Sequence, residues 1–368
     1  MRVMDLQQEQ LARSIGQGHR VIHGVAGSGK TLILGYRAEH LAKACTRPIL
    51  VLCFNRPLAQ KLKHWMEIKG LADKVKVHNF HSWCYRQLTA YHIPLPENCG
   101  GPDVFSDDLV DAVIREVDRK LIPSGQYDAV MIDEGHDFRA EWFKLVVQMV
   151  NPQSNSLLVL YDDAQSIYDT KRNGRFSFKG VGIQAQGRTT ILRINYRNTD
   201  EILSFAAEFT NQLLTQEDAD EDSIPRLAPI AAGRRGTKPL LLTLPTIKTE
   251  AGKIAEYLKE AHQDGMAWKD MAVLYGDDQD RQELYQALVE QKVRFAGKDK
   301  ISYATGADRV SFLSFRVSKG LEFPLVAIMG GRIVEQAKSD TEAAKLLYVA
   351  MTRATSHLIM TVAGNEEQ

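Results

Sequence analysis

The chain has 368 residues, enough for two core-sized domains. Hydrophobic residues make up 44% and charged residues 25%, which excludes a disordered or fibrous chain. Lys plus Arg and Asp plus Glu each total 46, so the net charge is zero and a wholly basic nucleic-acid-binding surface is excluded; any such site must be a local groove.

In chain order, the apolar pair at 21–22 leads through a glycine-rich stretch to helical spacing over residues 32–43. Residues 49–54 (ILVLCF), 129–132 (AVMI) and 157–160 (LLVL) read as buried strands, as do 240–244, 272–275, 325–329 and 358–362. Continuous apolar runs suit parallel strands covered on both faces. Between residues 90 and 122 the strand signal fades, and 103–120 reads as one polar helix in a short insertion. Residues 216–222 and 225–239 read as loop, and 251–262 and 281–291 as helices. The fold class expected is α/β with two parallel sheets, divided near residue 188 into domains 1–188 and 189–368.

No apolar run reaches the roughly 18 residues of a membrane span, and the first five residues carry no signal-peptide pattern. The cysteines Cys45, Cys53, Cys84 and Cys99 show no paired spacing, as reduced thiols would. A cytoplasmic protein without membrane contact is expected.

Gly24-Val25-Ala26-Gly27-Ser28-Gly29-Lys30-Thr31 fits the phosphate-loop pattern G-x-x-x-x-G-K-[ST], between an apolar run and a helix-like segment. The glycines let backbone N–H groups turn toward phosphates, and the helix N-terminus adds a favourable dipole. Lys30 is placed to neutralise the β- and γ-phosphates of ATP, and Thr31 to hold Mg²⁺ through its hydroxyl. A second strand ends in Asp133-Glu134. Asp133 suits the metal shell and Glu134 suits proton acceptance from an attacking water. His78, His81 and Cys84 recur every third residue, but three candidates without a paired spacing make a poor zinc site.

Residues 160–168, Leu-Tyr-Asp-Asp-Ala-Gln-Ser-Ile-Tyr, resemble motif III of the superfamily 1 helicases of the UvrD/Rep group, whose core is D-x-x-Q-S-I-Y. The resemblance runs through the chain in the family's order. Residues 6–10 resemble the Q motif, Cys53-Phe54 motif Ia, and residues 79–84 (NFHSWC) motif Ib. Asp133-Glu134-Gly135-His136-Asp137 resembles motif II, and Asn195-Tyr196-Arg197 motif IV. Residues 319–323 (KGLEF) resemble motif V, and residues 348–354 (YVAMTRA) motif VI.

The resemblance implies two RecA-like domains with ATP in the cleft between them, and roles residue by residue. Gln10 reads adenine, Tyr196 stacks on it, and Glu322 faces the sugar or the arginines. Gln165 senses the γ-phosphate. Arg197 and Arg353 act as arginine fingers on the transferring phosphoryl. Phe54, Phe80, His81 and Tyr168 line a single-strand track, where aromatic stacking tolerates any sequence. The implied activity is an ATP-driven single-stranded DNA translocase moving 3′ to 5′, with RNA an open alternative as the strand.

Several positions depart from the family pattern. His136 replaces the usual Gln of motif II, a variant that resembles helicase modules carrying a nuclease-related (NERD) domain, so a fused or associated nuclease domain is expected. Arg316 stands where motif V has His, and Thr170 where motif III has a DNA-stacking Trp. Only residues 297–308 occupy the place of the family's large accessory insertion, so weak duplex unwinding is expected. The rival functions are an ATP-gated nucleic-acid clamp with little turnover and a small-molecule P-loop kinase. The kinase reading accounts for neither residues 165–168 nor the two arginines.

Overall fold

The computed structural model describes residues 3–97, 102–161, 177–213, 230–296, 307–337 and 341–363. Motif III from residue 162 on, with Gln165, Tyr168 and the Thr170 after it, lies outside them, as do residues 216–222 and nearly all of 297–308. The chain forms two compact units, one of residues 1–25 and 29–192, the other of 26–28 and 193–368.

The first unit holds α1 (Val3–Ser14), β1 (His19–Gly24), α2 (Lys30–Ala42), β2 (Ile49–Cys53), α3 (Arg56–Ile68), β3 (Val75–Asn79) and α4 (Phe80–Ala90). It continues with α5 (Pro102–Asp118), β4 (Ala129–Asp133), α6 (Ala140–Met149), β5 (Ser156–Tyr161) and β6 (Thr189–Leu192). Its sheet runs β3-β2-β4-β5-β1-β6 with every pairing parallel. The apolar run of β2 divides by alternation. Leu50 and Leu52 enter a core with Phe80, Trp83 and Phe143, while Ile49, Val51 and Cys53 enter the opposite core with Ile33, Leu34 and Leu62. Burying such a side chain on either face contributes about 1.5–3 kcal/mol, so the strand has no polar side to spare.

The segment expected to be a polar insertion is instead part of the main core. Helix α5 packs on α4 and buries Leu109, Val110, Ala112, Val113 and Val117 in the core that also holds Leu50, Leu52, Val130 and Ile132; buried Glu116 is met by Arg115 and Arg119, and Asp108, Asp111, Arg115 and Asp118 are exposed. Composition hid its amphipathic spacing. The unit boundary falls after Leu192 instead of near residue 188, because residues 189–192 pair with β1 as the sheet's edge strand.

The second unit holds β7 (Ile194–Asn195), α7 (Asp200–Leu213), β8 (Ile230–Ala231), β9 (Leu240–Leu244), α8 (Ile247–Gln263), β10 (Met271–Tyr275) and α9 (Asp278–Glu290). Next come β11 (Ser311–Ser314), β12 (Phe323–Met329), α10 (Gly331–Ala337), α11 (Thr341–Met351) and β13 (Ala354–Ala363). Its sheet runs β11-β10-β12-β13-β9, again all parallel. The residues expected to be loop at 225–239 include β8, which pairs with β7 in a small two-stranded ribbon. No described helix is long and apolar enough to cross a membrane.

Candidate functional site

The chemistry collects at the carboxyl ends of the first sheet's strands, where ligands of open α/β sheets bind. Strands β1, β5 and β4 are neighbours, so the phosphate loop after β1 and the acidic pair at the end of β4 flank the end of β5. Gly27 and Gly29 take φ of +74° and +85°, left-handed conformations that a side chain would strain. Gly29 precedes α2, whose first turn has no side-chain cap and no acidic residue, leaving the positive end of its dipole uncontested by a carboxylate. Lys30 is buried, and its Nζ donates to the carbonyls of Gly24 (2.5 Å) and Val25 (3.1 Å), which aims the ammonium into the loop.

Thr31 Oγ1 donates to Asp133 Oδ2 at 2.8 Å, and Asp133 Oδ1 accepts from the Glu134 amide at 2.9 Å. Asp133 is buried, and burial together with the Asp133 and Glu134 charges pushes the neighbouring Cys53 thiol well up, so Cys53 stays protonated. One carboxylate and one hydroxyl are hard oxygen donors that would suit Mg²⁺. Among the described residues, no cluster of three or more His, Cys, Asp or Glu offers a rival metal site.

Glu134 sits at φ 55°, a strained value for a side-chain-bearing residue, at the start of a one-turn 3-10 helix. The next position must be glycine: a methyl on Gly135 would meet Val159 Cγ1 at 2.8 Å and the Leu160 carbonyl at 3.0 Å. Buried His136 places Nε2 3.4 Å from Glu134 Oε2 and 3.8 Å from Asp137 Oδ2.

The adenine-reading assignment to Gln10 is corrected. Gln10 is exposed, whereas Gln8 is buried with its amide pressed against Gly29 of the phosphate loop. Two residues on a helix are separated by about 200° of rotation, so only one of these glutamines can face the loop.

The outer strands β2 and β3 end in an aromatic ledge. Asn79 donates through Nδ2 to the Phe54 carbonyl and accepts the Ser82 amide through Oδ1 at 3.3 Å, tying the end of β2 to the start of α4. Phe54 is 38% exposed and stacks on Trp142, with centroids 6.1 Å apart at 17°. His81 meets both rings edge-on, at 5.6 and 5.2 Å. The Arg139 guanidinium lies 5.2 Å over Trp142 and pairs with Asp107 at 3.0 Å. Burial, reinforced by Arg139 and Arg56 and opposed by Asp107, lowers the His81 pKa, so the ring is neutral at physiological pH.

Phe80 is corrected as a strand contact. It is fully buried against Trp142, Phe138 and Trp83, so it supports the ledge from beneath. The sequence reading missed Arg139 and Trp142. Their spacing of three just after motif II, on the first turn of a helix, was the available signal.

In the second unit, motifs IV, V and VI are knitted together. Asn195 Oδ1 accepts the amides of Arg197 and Asn198, both at 2.9 Å. Asn198 Nδ2 then donates to the carbonyls of Thr352 (3.0 Å) and Ala354 (2.6 Å), the two residues that flank Arg353. Arg353 is fully buried, donating from Nε to the Val349 carbonyl and from Nη1 to that of Leu321. Arg197 Nε meets Glu322 Oε2 at 2.8 Å, so these two expected nucleotide-site residues do come together. Tyr196 is half-buried beside them. Asn195 and Asn198 were not singled out as organisers; buried amide pairs leave no pattern in a single sequence.

Residues 7–171 match the AAA domain family, and residues 190–304 and 310–361 match two families of UvrD-like helicase C-terminal domains. Over 231 residues, 61% of this chain, it is 25% identical to YjcD of Bacillus subtilis strain 168, whose name describes an ATP-dependent DNA helicase. Over 178 residues, 46% of this chain, it is 24% identical to a protein of Mycoplasma capricolum named as a DNA helicase II homolog. The matched stretches span 27% and 22% of those relatives, so the chain is much shorter than either. Among solved structures, the C-terminal domain of a DNA helicase from Lactobacillus plantarum WCFS1 covers 46% of this chain and 88% of its own, at 18% identity and a TM-score of 0.34. With matches to both halves in the family's order, and the phosphate loop and acidic strand end at the matching motifs, the chain belongs to the UvrD-like superfamily 1 helicases, whose core it forms.

Proposed function

We propose that the chain is an ATP-driven translocase on single-stranded DNA, moving 3′ to 5′ as the family resemblance implies. Its ATP hydrolysis is stimulated by the strand, and as an isolated core it unwinds duplex weakly. One observation carries the reading. The carboxyl ends of a single sheet's strands hold the Lys30 and Thr31–Asp133 pair beside Glu134 and, at the neighbouring strands β2 and β3, an aromatic ledge with Phe54 exposed and Arg56 and Arg139 at its border.

Lys30 neutralises the β- and γ-phosphates, and Gln8 takes the adenine-reading role. Thr31 and Asp133 hold Mg²⁺, which when bound withdraws charge from the phosphate oxygens. Glu134 accepts the proton of the attacking water, a contribution of about 10²–10⁴ in rate. Arg197 and Arg353 stabilise charge on the transferring phosphoryl, with Glu322 fixing the Arg197 fork and Tyr196 stacking on the base. Gln165 and Tyr168 keep the sensing and stacking roles implied by motif III. Phe54 and His81, backed by buried Trp142, give the strand a sequence-tolerant platform. The His136 variant supports a fused or associated nuclease-related domain as a partner.

Steady-state ATPase with and without single-stranded DNA tests this. Strong stimulation is the expected result. Near-zero turnover with retained strand binding would identify an ATP-gated clamp instead, and turnover only with a small acceptor would identify a kinase. A tailed-duplex displacement assay alongside should give little product, since each base-pair step holds about 0.6–2.2 kcal/mol of stacking and the accessory insertion is short.

A further inference from the structure

Beside the aromatic ledge, helices α4 and α5 enclose an open pocket of about 720 Å³. That volume falls within the roughly 300–1,000 Å³ of pockets that hold small organic ligands. Two guanidinium groups, Arg56 and Arg86, line it, and among the described residues no carboxylate does. Tyr85, 44% exposed, and Phe105 supply ring surface, and buried Leu109 supplies an apolar wall. His81 belongs both to the ledge, through its contacts with Phe54 and Trp142, and to the pocket wall. The pocket is therefore continuous with the ledge.

Cations with ring and aliphatic surface, and no carboxylate among the described lining residues, match a phosphate joined to a flat base that stacks through its face. A carboxylate-bearing ligand would find the same cations but no use for two aromatic walls. A purely apolar peptide would strand both guanidiniums. We propose that the pocket receives one nucleotide of the bound single strand, turned out of the base stack, with its base on Tyr85, Phe105 and Leu109 and its flanking phosphates on Arg56 and Arg86. This rests on the single-strand reading above and adds to it a discrete subsite. Turning out a base costs least when it is already unpaired, so a single strand can enter where a duplex cannot. Neutral His81 at the junction adds no charge and can share a hydrogen bond with either the ledge-bound or the pocket-bound nucleotide.

Abasic scanning tests the subsite. The shortest oligothymidylate that the full chain binds at full affinity fixes the register, and one abasic residue is then moved through it. One position should lose about 5- to 150-fold in affinity, the equivalent of one stacked base. In Tyr85→Ala that penalty should vanish while the rest of the profile stands. In Phe54→Ala binding should weaken but the peak should remain. Arg86→Gln should reduce the salt slope of binding by about 0.7, the share of one phosphate on a single strand. Tight wild-type binding with a flat profile, or with a peak that Tyr85→Ala leaves in place, overturns the subsite and leaves the single-strand reading standing. Failure of the wild-type chain to bind any oligonucleotide overturns both. Tyr85 and Arg86 are exposed, so thermal melts of both variants should match the wild type.

Discussion

Replacing Gln8 and Gln10 by alanine, one at a time, should separate two residues that look interchangeable in sequence. Gln8 is 4% exposed and packed on Gly29, while Gln10 points to solvent. If Gln8 pairs with the adenine edge, truncating it leaves polar groups of the base without a partner in a closed site, at about 1–3 kcal/mol. That converts to a rise of about 5- to 150-fold in the Kd for ATP. At Gln10, an exposed helical position, the same change should stay within about 0.5 kcal/mol, a factor of about two. Titration with a fluorescent ATP analogue, competed by ATP and GTP, reads both numbers. Gln8→Ala should also narrow the preference for ATP over GTP, because the phosphate contacts are untouched and only base reading is lost. A large effect at Gln10 with none at Gln8 would refute the helix-face reasoning.

Glu134→Gln should bind ATP normally and lower turnover by about 10²–10⁴, and a fall of less than about tenfold would remove Glu134 as the base. Arg197→Ala should lower the single-turnover rate by about 10³–10⁵ with a much smaller change in nucleotide Kd; equal losses in both would make it a ground-state contact. Phe54→Ala should weaken strand binding by about 1–3 kcal/mol with an unchanged melt, whereas Phe80→Ala should cost about 3–5 kcal/mol of stability in chemical denaturation. In the second unit, burial and the nearby Asp277 charge push the Asp280 carboxyl up to about 6. The folded state therefore holds a proton that the unfolded chain releases near its ordinary value of 3.8, so this group's contribution to stability falls as pH rises through that window. Asp280→Asn should flatten the decline, measured as urea midpoints between pH 4 and pH 7; a parallel decline in the variant would exclude Asp280 as its source.

Much of the sheet architecture could be read from apolar runs, because strands buried on both faces announce themselves without periodicity. Strand β3 could not: at the sheet's edge it alternates buried and half-buried residues over only five positions, Val75 to Asn79. Strand β11 is four residues long and carries a serine at each end. The phosphate loop and acidic strand end were legible because their chemistry demands contiguous residues. Phe80 misled because motif Ib marks a helix start, and the first residue of that helix turns inward beside Trp83 and Phe138. The choice between Gln8 and Gln10 turned on helical phase, which the motif alone did not fix.

The end of β4 has a mechanical consequence. From Glu134 the chain passes through one short turn to Arg139 and Trp142, so the base and the ledge lie at opposite ends of a link eight residues long. That link has little slack. The Asp137 and Phe138 amides close back onto the Glu134 and Gly135 carbonyls at 3.0 and 3.1 Å, and Gly135 is wedged where no methyl would fit. Under the proposed function, a shift of the Glu134 backbone would pass through this closed turn to the start of α6 and to the indole under Phe54. Fuel consumption and traction would then share one lever arm. Lengthening that arm by a single inserted glycine would be the gentlest way to let the motor idle: hydrolysis would continue while the grip no longer answers to it.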